Sequence, residues 1–348
     1  MSVSINTEPV VVIGSGPAAY SAAVYLQDLC PLVLAGEYDV RPQNPGGQLV
    51  TTTDVDNYPG FPSGITGPEL ADRYKEHAEK TGARVKYAWV TRITQDNEIF
   101  TLHTKEEDIR ALSVVIATGS VAKRLDAKGT GDNELWQKGI SACATCDGWV
   151  FTDKVVAVIG GGDTAMEEAL YLSGIAKRVI LIHRTDKFRA RPDMLEKVNI
   201  AENITVKTWR VLNEAVGEKS LKEIVLEDPR TKEEERIEVD GLFFAVGHTP
   251  STEFLDGSGV RLDTHGYVVT DKQTMETSVP GIFAAGDVQD SRYRQAVTAA
   301  YTGMVAGKSC MKFLQDQKMV EVAVDVVGSD AMDSDVVGSD VMDSGCDE

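Results

Sequence analysis

Residues 10–13 form a short apolar run that leads into Gly14-Ser15-Gly16-Pro17-Ala18-Ala19, after which Ala19, Ala22, Ala23 and Leu26 recur at three- and four-residue spacing. That pattern predicts a strand, a tight turn and a helix, and a second run at 32–34 completes a β-α-β unit. The series returns later as 155–159, Gly160-Gly161-Gly162-Asp163-Thr164-Ala165, a helix through Ser173 and a strand over 178–182. Between the two, a helix is predicted to start near Gly67 with Pro68 at its first position. Alternation over 88–104 predicts an antiparallel flap, and residues 113–117 a strand ending in Ala117-Thr118-Gly119. A related strand and turn, 242–245 then Val246-Gly247, follows the second unit. These turns are read as crossing points. The expected fold is α/β, with two Rossmann-like three-layer domains, the second inserted in the first: residues 1–119 with 247–320, and 120–246.

A single G-x-G-x-x-G/A is weak evidence, but two, each after a strand and before a helix, point to two bound dinucleotides. Gly14 permits the tight turn, Gly16 lets the backbone approach a pyrophosphate, and Ala19 allows close packing of helix on strand. Gly160, Gly162 and Ala165 repeat that logic. Past the second unit the chain reads His183-Arg184-Thr185-Asp186-Lys187-Phe188-Arg189. Arg184 and Arg189 stand where a ribose-binding carboxylate would otherwise be, and can pair with a 2′-phosphate, which favours NADPH. In the first unit Glu37 holds the corresponding place, as a ribose ligand or a surface glutamate. A hydride donor needs an acceptor, so the second dinucleotide is expected to be FAD.

Charge narrows the partners. The 348 residues carry 54 acidic and 35 basic side chains, and nine of the acidic ones lie in residues 321–348, which contain no basic ones. Nucleic acid and anionic membrane surfaces would be repelled, and no apolar run nears the length of a membrane span. The start, MSVSINTEP, has no basic region before its first glycine motif, so a cytosolic (cytoplasmic) protein without a leader is expected. The tail from Asp325 repeats DVVGSDAMDS as DVVGSDVMDS, a composition that favours disorder.

Five cysteines are scattered through the chain. Cys30 and Cys310 read as buried hydrophobes, and Cys346 as an inert thiol near the end. Cys143 and Cys146, in SACATCDG, could be half of a zinc site, a redox disulfide or core packing. A structural zinc site needs four ligands, and no second CxxC or HxxxH exists in the chain, so no metal is expected. The two nucleotide motifs leave the pair as an electron acceptor. Two-residue spacing allows a small disulfide ring with both sulfurs near one helix end, where a thiolate is favoured.

GSGPAA, GGQL followed by TTT, DNYPGFP, ATGS, ACATCDG, GGGDTA, HRxxxxR, VGHTP and AAGDVQDSRYRQA together cover about residues 10–314. In these stretches the chain resembles the low-molecular-weight, NADPH-dependent thioredoxin reductases. The resemblance implies that Gly14, Ser15, Gly16, Pro17 and Ala18 hold the FAD pyrophosphate. It places Gly47, Gln48, Asn57, Thr118 and Gly119 around the flavin and Val90 at the adenine end. Gly286 and Asp287 would hold the ribityl chain, with Arg294, Gln295 and Ala296 closing over it. NADPH would be held by Gly160, Gly162, Asp163, Thr164, His183, Arg184 and Arg189. Thr185 stands where the second of two adjacent arginines is common in the family, shifting weight to Arg184 and Arg189, with Lys187 or Arg191 as further candidates. Cys146 would face the flavin, Cys143 would attack the disulfide of thioredoxin, and Asp147 would serve as general acid, a role that also fits a helix cap. His248 is given a structural or hinge role. The resemblance further implies a homodimer and rotation of the inserted domain about Gly119 and Gly247. The alternatives within the class are a flavoenzyme serving a peroxiredoxin-type protein, a ferredoxin-dependent reductase, and a dithiol oxidase.

Overall fold

The computed structural model describes residues 7–38, 45–52 and 54–319; Cys346 and the repeat tail lie outside them. The described helices are α1 (Pro17–Val24), α2 (Gly67–Lys80), α3 (Ala144–Asp147), α4 (Asp163–Ser173), α5 (Pro192–Ile200) and α6 (Ala296–Asp316). The chain divides into two compact units. One draws on the described residues of Met1–Gly46, Arg73–Thr118 and Thr252–Glu348, the other on Gly47–Asp72 and Gly119–Ser251. Residues 47–72, expected with the first domain, therefore group with the second, and the return crossing falls after Ser251 instead of at Gly247.

The first unit is built on a seven-stranded sheet in the order Arg84–Lys86, Leu32–Leu34, Thr7–Ile13, Asp108–Ile116, Ile99–His103, Arg92–Asp96, with Ile282–Ala284 also paired to Asp108–Ile116. That long strand changes partner midway. Ile109 to Ala111 run antiparallel to residues 100–102, whereas Val114 to Ile116 run parallel to Ile282 to Ala284. The expected flap is thus a hairpin that extends the main sheet. Charged Asp108 and Arg110 hide the strand's first half from an apolar-run reading. Alternate residues of the parallel strands face opposite layers: Val10, Val12, Val33, Val115 and Phe283 pack with α1 and α6. On the other side Val11, Ile13, Leu34, Val114, Ile116 and Ile282 pack with Ile93, Phe100 and Leu102 of the hairpin and with Phe254 and Leu255.

The second unit holds a five-stranded parallel sheet in the order Ile140–Ser141, Gly241–Phe244, Val155–Ile159, Arg178–Ile182, Ile204–Lys207. Val156, Val158, Val179, Leu181 and Phe243 face α4 and α5 through Ala165, Met166, Ala169, Leu172 and Val198. Ala157, Ile159, Ile180, Ile182 and Phe244 face the three-stranded antiparallel sheet Val211–Gly217, Leu221–Glu227, Glu234–Glu238 through Ala215, Leu221, Ile224 and Leu226. Strands covered on both faces read as continuous apolar runs, which is why residues 155–159 and 178–182 were legible to the residue. Of the two single cysteines, Cys310 is fully buried on α6, but Cys30 is only half-buried. It ends a short 3-10 turn in the left-handed region, φ 44°, so its thiol is not the buried hydrophobe expected.

Candidate functional site

The two glycine turns have the same construction. Gly14 N donates to Leu34 O at 2.9 Å, and Gly160 N to Ile182 O at 3.0 Å, tying each turn to the neighbouring strand. A Cβ on Gly14 would lie 2.2 Å from Ala117 O, and one on Gly160 2.4 Å from Ala245 O, so each first glycine permits an approach no side chain allows. A Cβ on Gly16 or Gly162 would meet nothing within 4 Å. Each second glycine therefore borders open space at the start of a helix, α1 or α4, whose first N–H groups have no side-chain cap. This is a cradle suited to a phosphate group.

Around the first turn, Ser15 Oγ donates to Ala35 O and accepts from Gly46 N, both at 2.9 Å, and so props the turn against the chain beyond the second strand. Pro17 takes the first helical position and Ala18 follows, buried. Gly286, at φ 76°, would place a Cβ 2.8 Å from the Cβ of Ala18, and its N–H is held by Thr302 Oγ1 at 2.9 Å. The loop carrying Asp287 is thereby fixed against the start of α1. Burial, together with Asp290, pushes the Asp287 carboxyl up to about 7, with Arg294 offsetting part of the rise. A buried neutral carboxyl can donate as well as accept hydrogen bonds, which fits a polyol chain. Gln295 caps α6 reciprocally with Thr298, one position before Ala296, and the Arg294 guanidinium donates to Ser291 O. Two expected residues are otherwise engaged. Glu37 pairs with Lys105 at 2.8 Å, and Val90 is 5% exposed within the sheet's packing. Thr118 precedes the division between the units, and Gly47, Gln48, Asn57 and Gly119 fall in the second unit. There Gln48 Nε2 donates to Ser120 O.

Around the second turn, Arg189 N and Ala190 N both donate to Gly161 O, at 2.7 and 3.2 Å, folding the basic segment back over the glycines. A Cβ on Gly161 would sit 2.2 Å from the His183 ring. That ring also stacks on Phe188 at 4.8 Å and lies 3.1 Å from Lys187 O. Burial, aided by Arg184 and Arg189, lowers the His183 pKa and favours the neutral imidazole. Arg184 and Arg189 are exposed. Arg191 is committed elsewhere: its N–H donates to Asp163 Oδ1 at 2.7 Å, and its guanidinium lies 3.6 Å from Asp163 and 3.9 Å from Asp193. Thr185 caps the turn through Lys187 N at 3.3 Å.

Cys143 and Cys146 form a disulfide, with S–S 2.08 Å and Cα–Cα 5.3 Å. Cys143 is the N-cap of α3, and both sulfur-bearing residues are half-buried. Asp147 ends that helix, and its Oδ2 accepts a hydrogen bond of 2.5 Å from Ser141 Oγ. Sequence reasoning passed over Ser141, because a serine two residues before a cysteine carries no spacing signal. His248 sits on the strand His248–Pro250, antiparallel to Ser120–Ala122. Among the described residues no three His, Cys, Asp or Glu side chains converge as metal ligands.

Two phosphate cradles and a disulfide within one chain define a class. The chain belongs to the pyridine nucleotide-disulphide oxidoreductase family, whose profile matches residues 8–303. Its relatives there are thioredoxin reductases. It is 46% identical over 314 residues to thioredoxin reductase 1, mitochondrial, of Arabidopsis thaliana, covering 88% of this chain and 83% of that one. It is 44% identical over 308 residues to the thioredoxin reductase of Chlamydia pneumoniae, covering 87% and 98%. The solved thioredoxin reductase of Giardia duodenalis superposes with a TM-score of 0.81 at 37% identity, covering 88% and 98%.

Proposed function

We propose that the protein is an NADPH-dependent thioredoxin-disulfide reductase that uses FAD and works as a cytosolic homodimer. The observation that carries the reading is the Cys143–Cys146 disulfide with Asp147 one residue beyond, in the same unit as a phosphate cradle flanked by Arg184 and Arg189. Gly160, Gly162 and Thr164 would hold the pyrophosphate of NADPH, and Arg184 and Arg189 its 2′-phosphate, because a guanidinium pairs bidentately with phosphate. Asp163 and Arg191 brace that segment. Gly14 to Ala18 would hold the FAD pyrophosphate, with Asp287 on the ribityl chain. Held there, FAD would supply two-electron chemistry between NADPH and the disulfide.

The remaining steps belong to the protein's own side chains. In the reduced dithiol, Cys143 as thiolate attacks one sulfur of the thioredoxin disulfide, forming a mixed disulfide and releasing the other thioredoxin sulfur as a thiolate. That thiolate takes the proton held by the Asp147 carboxyl. Cys146, as thiolate, then attacks Cys143 Sγ, which restores the Cys143–Cys146 bond and releases the second thioredoxin sulfur, protonated from solvent.

NADPH oxidation in the presence of a thioredoxin and insulin tests the reading. The wild type turns over, while Cys146→Ser keeps its bound flavin and loses thioredoxin-dependent turnover. Turnover with oxygen alone, or Cys146→Ser at the wild-type rate, overturns it.

A further inference from the structure

We propose that Ser141 is a positioning residue for the dithiol exchange, binding the backbone of Cys143 and the carboxyl of Asp147 to one hydroxyl. The proposal rests on the functional reading above. Ser141 ends the strand Ile140–Ser141, where Ile140 and Ser141 are in register with Leu242 and Phe243 of the parallel sheet. Its backbone is therefore fixed by the sheet, and the residue is 6% exposed. Its Oγ accepts the Cys143 N–H at 3.1 Å and donates to Asp147 Oδ2. An N–H can only donate, so Cys143 occupies one lone pair of the hydroxyl and leaves its O–H and second lone pair for Asp147.

That leftover pair of functions matches what a proton donor needs. As a carboxylate, Asp147 accepts the Ser141 O–H. As an acid, it can donate to the second lone pair. The hydroxyl thus holds Asp147 in place before and after it gives up its proton. The link also matters when the disulfide opens. The Cys143–Cys146 bond is then gone, and the ties at the start of α3 include the Cys143 N–H to Ser141 and the Cys143 O to Cys146 N and Asp147 N, at 3.3 and 3.1 Å. Ser141 connects that turn to the sheet, so the attacking sulfur and the acid keep their spacing in the reduced state. Productive exchange depends on such spacing.

The test uses the flavin-loaded enzyme as wild type, Ser141→Ala, Asp147→Ala and the double variant. Flavin reduction by NADPH is followed separately from single-turnover reduction of a thioredoxin by the pre-reduced enzyme. Ser141→Ala is expected to slow thioredoxin reduction by about tenfold, the worth of one hydrogen bond to a charged group, while flavin reduction keeps its rate. In the Asp147→Ala background the same substitution adds no further loss, because its effect runs through the acid. Losses that multiply in the double variant, or a flavin reduction slowed equally, overturn the proposal and assign Ser141 a structural role only. Hydrogen exchange at the Cys143 amide gives a reading that needs neither thioredoxin nor a folded Ser141→Ala variant. Asp147→Ala, which takes away the acceptor that orients the Ser141 hydroxyl, is expected to speed that exchange relative to wild type, and unchanged exchange overturns the link. If the wild type reduces no thioredoxin, the functional reading fails, while the amide exchange still decides whether Ser141 joins the two residues.

Discussion

Gly303→Ala is a test of how the first phosphate cradle is held. Gly303 and Gly307 lie one turn apart on the face of α6 that meets α1. A Cβ at 303 would lie 2.2 Å from Ala18 O and 2.9 Å from Ala18 C and Cα; at 307 the nearest atom is Ala22 O at 2.8 Å. The neighbours at 303 are helix backbone, which cannot rotate aside, so the start of α1 must move by about 1 Å to reach an ordinary contact. Two terms oppose each other. Alanine in place of a mid-helix glycine gains about 1 kcal/mol of helix propensity, and overpacking costs about 1–3 kcal/mol. The backbone clash decides for the second, giving a net loss of up to about 2 kcal/mol and a Tm lower by a few degrees. The larger consequence falls on the cradle, since Ala18 stands at its second helical position. We expect FAD to dissociate from Gly303→Ala at concentrations where the wild type keeps it. Gly307→Ala should show a smaller effect, and Gly174→Ala, where the nearest contact is 3.4 Å from Tyr171 O, almost none. Circular-dichroism melting with and without added FAD, and flavin fluorescence after gel filtration, measure both quantities. A Gly303→Ala protein that melts with the wild type and retains its flavin would refute the claim that α6 sets the position of the turn.

Two further outcomes follow from buried groups. Cys310 is fully buried, with its sulfur 3.1 Å from Ser113 Oγ, and burial pushes its thiol up to about 12. Iodoacetamide at pH 8 should therefore label the reduced Cys143–Cys146 pair in the native protein and reach Cys310 only after unfolding, as mapped by peptide mass; native labelling at a comparable rate contradicts this. Asp287 rises from 3.8 to about 7 on folding, so the folded state binds the proton more tightly. Its contribution to stability is complete below the unfolded value and is lost as pH rises through the folded one. For flavin-free protein this loss amounts to up to roughly 4 kcal/mol between pH 4 and 7. Asp287→Asn should flatten that part of the stability curve in urea titrations, and a wild-type slope in the variant would show that the carboxyl does not titrate there.

What could be read from sequence depended on whether a constraint is local. Strands 155–159 and 178–182 are covered on both faces, and the glycine turns obey a steric rule within six residues, so both were visible. The first half of Asp108–Ile116 was not, because it pairs in an antiparallel hairpin and carries the polar residues of a less buried strand. The grouping of residues 47–72 was invisible for a different reason. Gln48 Nε2 donates to Ser120 O, a link between residues far apart in the chain that leaves no periodic trace. Ser141 is the extreme case: its importance lies in two hydrogen bonds, and no residue-type pattern announces them.

The duplication of the cradle also explains where the chain turns after each strand. In each case the carbonyl that presses on the first glycine belongs to the residue just past a strand paired in parallel, Ala117 or Ala245, and two residues later comes a glycine with positive φ, Gly119 at 70° and Gly247 at 100°. The carbonyl must point at the glycine turn, so the strand cannot simply continue, and the next residues have to turn away. Only a residue tolerant of the left-handed region makes that turn cheaply. Gly14 and Ala117, like Gly160 and Ala245, thus form one device in which the chain just past a strand closes on a glycine turn, and a glycine two residues on redirects the chain. Alanine at Gly119 or Gly247 therefore strains the turn that follows the strand end, because both hold a positive φ.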